Sequence, residues 1–295
     1  MKHSAKKIIP FFLALLIFAS VFSPAFAADG SIAVAVVGAD LTDEQVALVY
    51  QSFGFQRGAV SELIMTNELE RKYLEGQVDS DVIGTRSVSC VYVEIRPEGS
   101  GLDVRTTDNI TYFTPEMYAS ALQTAGIRDA KVVVDAPFQV SGTGALAGIY
   151  YAYETLTGLG MNAQSISTST EELTVTGELA GDIGEADATD IVSDIKDVLG
   201  ETADLTDEQL KELILGICSR YNVSLSDSRL SKLISLCRSL EKLSETGLLD
   251  KVENVQETLD RVSGATSKVV GFFKTVGDII RAIVDFFGKI KDIFS

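Results

Sequence analysis

The chain has no tryptophan, and among its 295 residues there are only five prolines, three cysteines and one histidine. That histidine, His3, falls in a stretch read below as a cleaved leader, so what remains has no imidazole. Ser-His-Asp and Cys-His nucleophile systems are thereby excluded. Histidine-ligated zinc is excluded too, and three scattered cysteines do not make a four-cysteine site. No catalytic residue, cofactor motif or metal-ligand set is identified; an enzyme built from this chain would have to work with carboxylates, tyrosine or lysine. Cys90, Cys218 and Cys237 are an odd number, which leaves at least one thiol unpaired. On an antiparallel helix pair Cys218 and Cys237 would be offset by about 12 Å along the axis. A disulfide needs Cα atoms within about 7 Å, so buried free thiols are expected.

Basic charge is also scarce. Lys and Arg number 25 against 42 Asp and Glu, a formal net charge of −17. Without Lys2, Lys6 and Lys7 the balance is 22 against 42, or −20. Such a surface repels nucleic acid, which is excluded as a partner.

Long apolar runs are absent as well. The longest, Ile8–Phe22, has 15 residues, short of the ~20 that a membrane span needs. It follows Lys2, Lys6 and Lys7 and precedes Ser23-Pro24-Ala25-Phe26-Ala27, which supplies an Ala-x-Ala site. That layout reads as a secretory signal peptide cleaved near Ala27, and the mature chain is expected to be secreted, extracellular or associated with the cell envelope.

With 46% hydrophobic residues there is ample material for a core. Ile32–Val37 is a β-branched strand; Val46, Val49, Tyr50 and Phe53 follow at helix spacing. Asn67–Leu74 reads as a helix. Ser87–Arg96 and Leu102–Phe113 read as a hairpin across Pro97–Gly101. A helix opens at Thr114-Pro115, a strand at Lys131–Asp135, and a helix at Gly144–Thr157. From Thr206 onward there is little strand signal, and the boundary falls near Gly177–Gly184. The fold class expected is α/β (or α+β) followed by an all-α region with a C-terminal amphipathic helix. The boundaries are a leader over 1–27, an α/β domain over 28–177, an acidic linker with one helix over 178–204, a helical region over 205–264 and the amphipathic helix over 265–295. The repeated stretch ADLTDEQ, at Ala39–Gln45 and Ala203–Gln209, reads as a helix-start cassette. Thr42 and Thr206 cap, and Gln45 and Gln209 close a capping box.

Three features invite functional readings. Gly142–Gly148 (GTGALAG) lies between a strand and a helix, but its spacing fits neither dinucleotide nor phosphate loops. Close helix–strand packing is expected there instead. Asp182, Glu185, Asp187 and Asp190 offer oxygen ligands without the spacing of a calcium loop. Carboxylates near element ends, Glu94, Glu116 and Asp135, keep a glycosidase-type pair open as an alternative.

The last 31 residues are the most informative. Val269, Phe273, Val276, Ile280, Ile283, Phe287, Ile290 and Phe294 recur at alternating steps of four and three, and Phe272, Ile279, Phe286 and Ile293 widen the face. Asp278, Asp285 and Asp292 repeat on the polar side. As a helix this stripe is about 45 Å long. Three surfaces suit it: its own protein, a second copy of the chain, or a membrane interface. Residues 265–295 carry five basic and three acidic groups, a net +2 against −22 for the rest of the mature chain.

Val36–Gln45 (VVGADLTDEQ), Met65–Gly76 (MTNELERKYLEG), Ile83–Glu94 (IGTRSVSCVYVE), Asn109–Tyr118 (NITYFTPEMY) and Ala136–Glu154 (APFQVSGTGALAGIYYAYE) occur in that order. Together they resemble the YpuA-like family of exported Gram-positive proteins, a domain of unknown function. The resemblance implies an exported or envelope protein and carries over no catalytic residue. The function expected is non-enzymatic binding of an unknown protein partner or the membrane surface through the twelve stripe residues from Val269 to Phe294. A carboxylate-type hydrolase acting on wall polymers and a self-assembling structural protein are the alternatives.

Overall fold

A computed structural model describes residues 25–26 and 32–246. Among the described residues six strands form one sheet: β1 (Ala25–Phe26), β2 (Ile32–Gly38), β3 (Ser61–Met65), β4 (Cys90–Ile95), β5 (Leu102–Thr106) and β6 (Ala130–Asp135). Along the sheet the order is β3, β2, β4, β6, β5, with the two-residue β1 beside the start of β2. The α/β reading therefore holds, with a mixed sheet and a helical C-terminal part.

Two strand–helix–strand units flank β4. In one, α1 (Asp43–Phe53) links β2 to the parallel β3; in the other, α4 (Pro115–Thr124) links β5 to the parallel β6. β4 is antiparallel to both β2 and β6. The hairpin expected between Ser87–Arg96 and Leu102–Phe113 does not form, because β6 lies between β4 and β5. Burial explains the order. β6 carries Val132, Val133 and Val134 buried on both faces and so takes an interior position. β5 alternates Leu102 and Val104 inward with Asp103 and Arg105 outward, which suits an edge.

The two faces are covered unequally. Ala33, Ala35, Val37, Cys90, Tyr92 and Val133 pack under α1 through Val46, Val49, Tyr50 and Phe53. The other face, from Val34, Val36, Val91, Val132 and Val134, packs against α2 (Asn67–Leu74), the short α3 (Ser80–Ile83), α4 and α5 (Thr143–Thr157). α1 and α4 thus lie on opposite faces. Both units step in the same direction across the sheet from strands that point the same way, so their crossovers have opposite hands. One of them departs from the near-universal right-handed rule.

The helical part begins with α6 (Ala163–Ile183), which runs through Gly177 without a break and contributes Leu173 to the sheet's core and Val175 and Leu179 to a second core. α7 (Glu185–Asp197), α9 (Asp207–Arg220) and α10 (Asp227–Glu245) complete that second core. Residues 178–204 thus hold the end of α6, all of α7 and the short α8 (Leu199–Thr202), with Ile191, Val192 and Ile195 buried. α6 is not anticipated by the sequence, because much of its buried side is polar: Thr168, Ser169, Glu172 and Thr176 lie among Leu173, Val175 and Leu179. Among the described residues no helix is long and apolar enough to cross a membrane.

Both helix-start cassettes form capping boxes. The Thr42 and Thr206 hydroxyls each accept from the backbone of Gln45 and Gln209 at 3.3 Å, and each Gln side chain accepts from the cap backbone at 2.9 Å. All three cysteines are buried and free of disulfides.

Candidate functional site

The carboxyl ends of β2, β3, β5 and β6 point the same way, and it is at such ends that α/β sheets hold ligands. Two buried carboxylates sit there. Asp135, the last residue of β6, accepts from the Ser52 hydroxyl at 2.5 Å, from the Ala136 N–H at 2.7 Å and from the Thr107 hydroxyl. Asn109, whose amide donates to the Ala136 carbonyl at 2.6 Å, lies beside it. This hub ties the end of α1 to the ends of β5 and β6. Asp135 is a buried acceptor whose capacity is used by its own chain.

Glu70, on α2, is the second. It accepts from the buried Ser87 hydroxyl at 2.7 Å. Burial pushes its carboxyl above the ordinary carboxylate range, against the pull of the Ser87 and Asn67 hydrogen bonds. It also stands over the start of α5: a Cβ at Gly144 would lie 2.5 Å from Glu70 Oε1. A helix N-terminus attracts anions, and here a carboxylate of the protein faces the first turn. The Gly142–Gly148 stretch is thus a packing device. Gly142 takes a left-handed φ of 94° and its carbonyl accepts from the Tyr118 hydroxyl at 2.6 Å. A Cβ at Gly148 would meet Val91 at 3.1 Å, so α5 lies close on the sheet.

The other carboxylates singled out by sequence do not converge. β4 and β6 pair with Cys90 opposite Asp135 and Glu94 opposite Lys131, so Glu94 and Asp135 sit at opposite ends of the sheet. Glu94 accepts from Tyr92 at 2.7 Å. Glu116 is in the first turn of α4. Asp182 pairs with Arg229 at 2.6 Å, while Glu185 and Asp187 are in the first turn of α7. Among the described residues no three or more such groups come together as a metal-holding cluster.

A third polar cluster joins the two halves. Lys196 on α7 and Glu172 on α6 form an ion pair at 2.9 Å with both side chains 1% exposed. Lys196 also donates to the Ser120 carbonyl and hydroxyl, both at 3.0 Å. Glu172 accepts from Thr124 at 2.5 Å and from Ser120. Nothing in the sequence flags this pair, since its partners lie 24 to 76 positions apart. The same holds for Asp135, whose Ser52 contact spans 83 positions.

The twelve stripe residues from Val269 to Phe294 lie outside the described residues, as does the leader except for Ala25–Phe26.

The chain is thus a mixed-sheet α/β layer continued by a helical bundle, with buried polar hubs that serve its own packing. Residues 37–262 match the family described as "Protein of unknown function (DUF1002)", and the chain belongs to that family. It is similar to the "Uncharacterized protein YpuA" of Bacillus subtilis (strain 168), at 32% identity over 284 residues, covering 94% of this chain and 92% of the relative. The likeness therefore extends through the helical part. No solved structure matches.

Proposed function

We propose that this is an exported protein of the cell envelope or extracellular space. In this reading it acts by binding rather than catalysis, and engages a protein partner or the membrane surface through residues 265–295. The observation that carries the reading is the apolar stripe from Val269 to Phe294, broken every few residues by charge. Such a stripe suits a surface and not a span. Gly271, Gly277 and Gly288 each cost about 1 kcal/mol in a helix interior, so the segment needs a surface to fold against. The leader-like first 27 residues support export.

Co-sedimentation with liposomes separates the membrane version from the partner version. Chain 28–295 is expected to pellet with vesicles and chain 28–264 to stay in the supernatant. Equal, negligible pelleting of both removes the membrane surface and leaves the protein partner.

A further inference from the structure

The sheet ends at β5, which among the described residues has one strand neighbour, the parallel β6. In a parallel pair every second residue of a strand turns both backbone groups to its neighbour. The Thr107 N–H donates to the Val134 carbonyl at 3.2 Å, so Asp103 and Arg105, at the same parity, turn theirs to β6. Leu102, Val104 and Thr106 turn their N–H and C=O groups outward along the edge. Among the described residues no turn, loop or cap hydrogen bond reaches these groups. The side chains of Leu102 and Val104 belong to the core on the α4 side, so at the edge these two residues offer backbone. Unpaired groups in such a row are a template for another strand.

The other face of β5 carries charge in a fixed order. Glu94 of β4 lies opposite Lys131 of β6, and Lys131 lies opposite Asp103 of β5. This row alternates in sign and stops at the edge on an acid. The next residue on that face of β5 is Arg105, whose side chain is 66% exposed and leans back on Asp103 at 3.1 Å. Arg96 reaches Asp103 from the other side at 3.4 Å. In an antiparallel two-fold pair centred on Val104, Asp103 of each copy stands opposite Arg105 of the other. Val104 faces Val104, and Leu102 faces Thr106. The residues with outward backbone groups then fall at the hydrogen-bonded positions. The charged residues fall at the alternate positions, where side chains come closer. Each row gains a basic fourth member and keeps its alternation. Moving the centre by one residue sets Asp103 against Asp103 or Arg105 against Arg105. The opposite edge, β3, has no such match: Glu62 is held by Arg57 of its own chain, and a two-fold about Leu63 sets Glu62 against Ile64.

We propose that β5 is the docking edge for a second copy of this chain: two copies pair antiparallel about Val104 and join their sheets into one. The two-fold uses the β5 edge of both copies, so this contact stops at a dimer. Five residues a side make a contact well below the ~1,600 Å² of a standard interface, so the dimer is weak and reversible. It stands apart from the binding role proposed above for residues 265–295.

Sedimentation equilibrium on chain 28–295 tests it. The wild type is expected to pass reversibly from monomer toward dimer between about 10 μM and about 1,000 μM. Arg105→Asp, at an exposed position, sets like charges at both crossing points and should raise the dimer dissociation constant about tenfold or more. Asp103→Arg should do the same alone. Mixed in equal amounts, the two variants present opposite charges at both points, and the mixture should regain the dimer. A wild type that stays monomeric throughout overturns the proposal. So does a dimer that Arg105→Asp leaves unchanged, since it forms through another surface, and so does a mixture of the two folded variants that stays monomeric. If Asp103→Arg does not fold, Thr106→Pro takes its place. It removes an outward N–H and no bond of the β5–β6 ladder, and an unweakened dimer in that variant sinks the idea.

Discussion

Lys196 and Glu172 bring two full charges into the dry contact between α4, α6 and α7, and every donor of the ammonium has an acceptor. A buried pair of this kind is weak evidence for net stability, since an apolar pair of similar volume is often as good. Breaking it is another matter, because the remaining charge is stranded. Lys196→Met alone is expected to destabilise the protein by about 3–5 kcal/mol in urea denaturation. The double change Lys196→Met with Glu172→Leu should recover most of that loss. A single variant as stable as the wild type would show that water reaches the pair.

At the scale of elements, the two ADLTDEQ copies use the same local chemistry in unlike surroundings, one after a strand and one after a short helix. Each cap is exposed and each box is complete. Thr42→Ala and Thr206→Ala are each expected to cost about 1 kcal/mol, read as similar shifts in thermal midpoint. A markedly larger loss at one copy would mean that its threonine does more than cap.

These caps were legible because their signals lie within three residues. So were α2, α4, α5 and α9, with apolar spacing and start signals on the same stretch. The features that were not legible depend on distant partners. β3 is five residues of mixed character, SELIM, identified as a strand only by pairing with β2. The order β4, β6, β5 follows from which strand is apolar on both faces, a comparison across the chain rather than within a segment. α6 is rich in serine and threonine, which hides its interior position. Its polar side is buried because Ser120, Thr124 and Lys196 come to meet it. The hubs at Asp135 and Glu70 are invisible as hubs for the same reason, although the sequence places Asp135 at a strand end.

For the whole molecule, α6 is the connecting member. Leu173 belongs to the core under the sheet, and Val175 and Leu179 belong to the bundle. The Lys196–Glu172 cluster then ties α7 back to α4. A chain divided near Gly177 would cut this helix and leave both cores open. The described part is therefore expected to unfold by heat in one cooperative step, with calorimetric and van't Hoff enthalpies in agreement. Two resolved transitions would show that the halves stand alone despite the shared helix.

The three cysteines are each enclosed and unbridged. Burial pushes Cys90 up to about 12, Cys218 to about 11 and Cys237 to about 12, so little thiolate exists at neutral pH. The fold is therefore indifferent to the redox poise of its surroundings. If the chain crosses a membrane as proposed, it needs no oxidant and no disulfide isomerase on arrival. Its thiols cannot be trapped in a mispaired crosslink once the helices close over them. Maturation outside the cell would then include no disulfide-forming step, and the same thiol state would be reached on either side of the barrier.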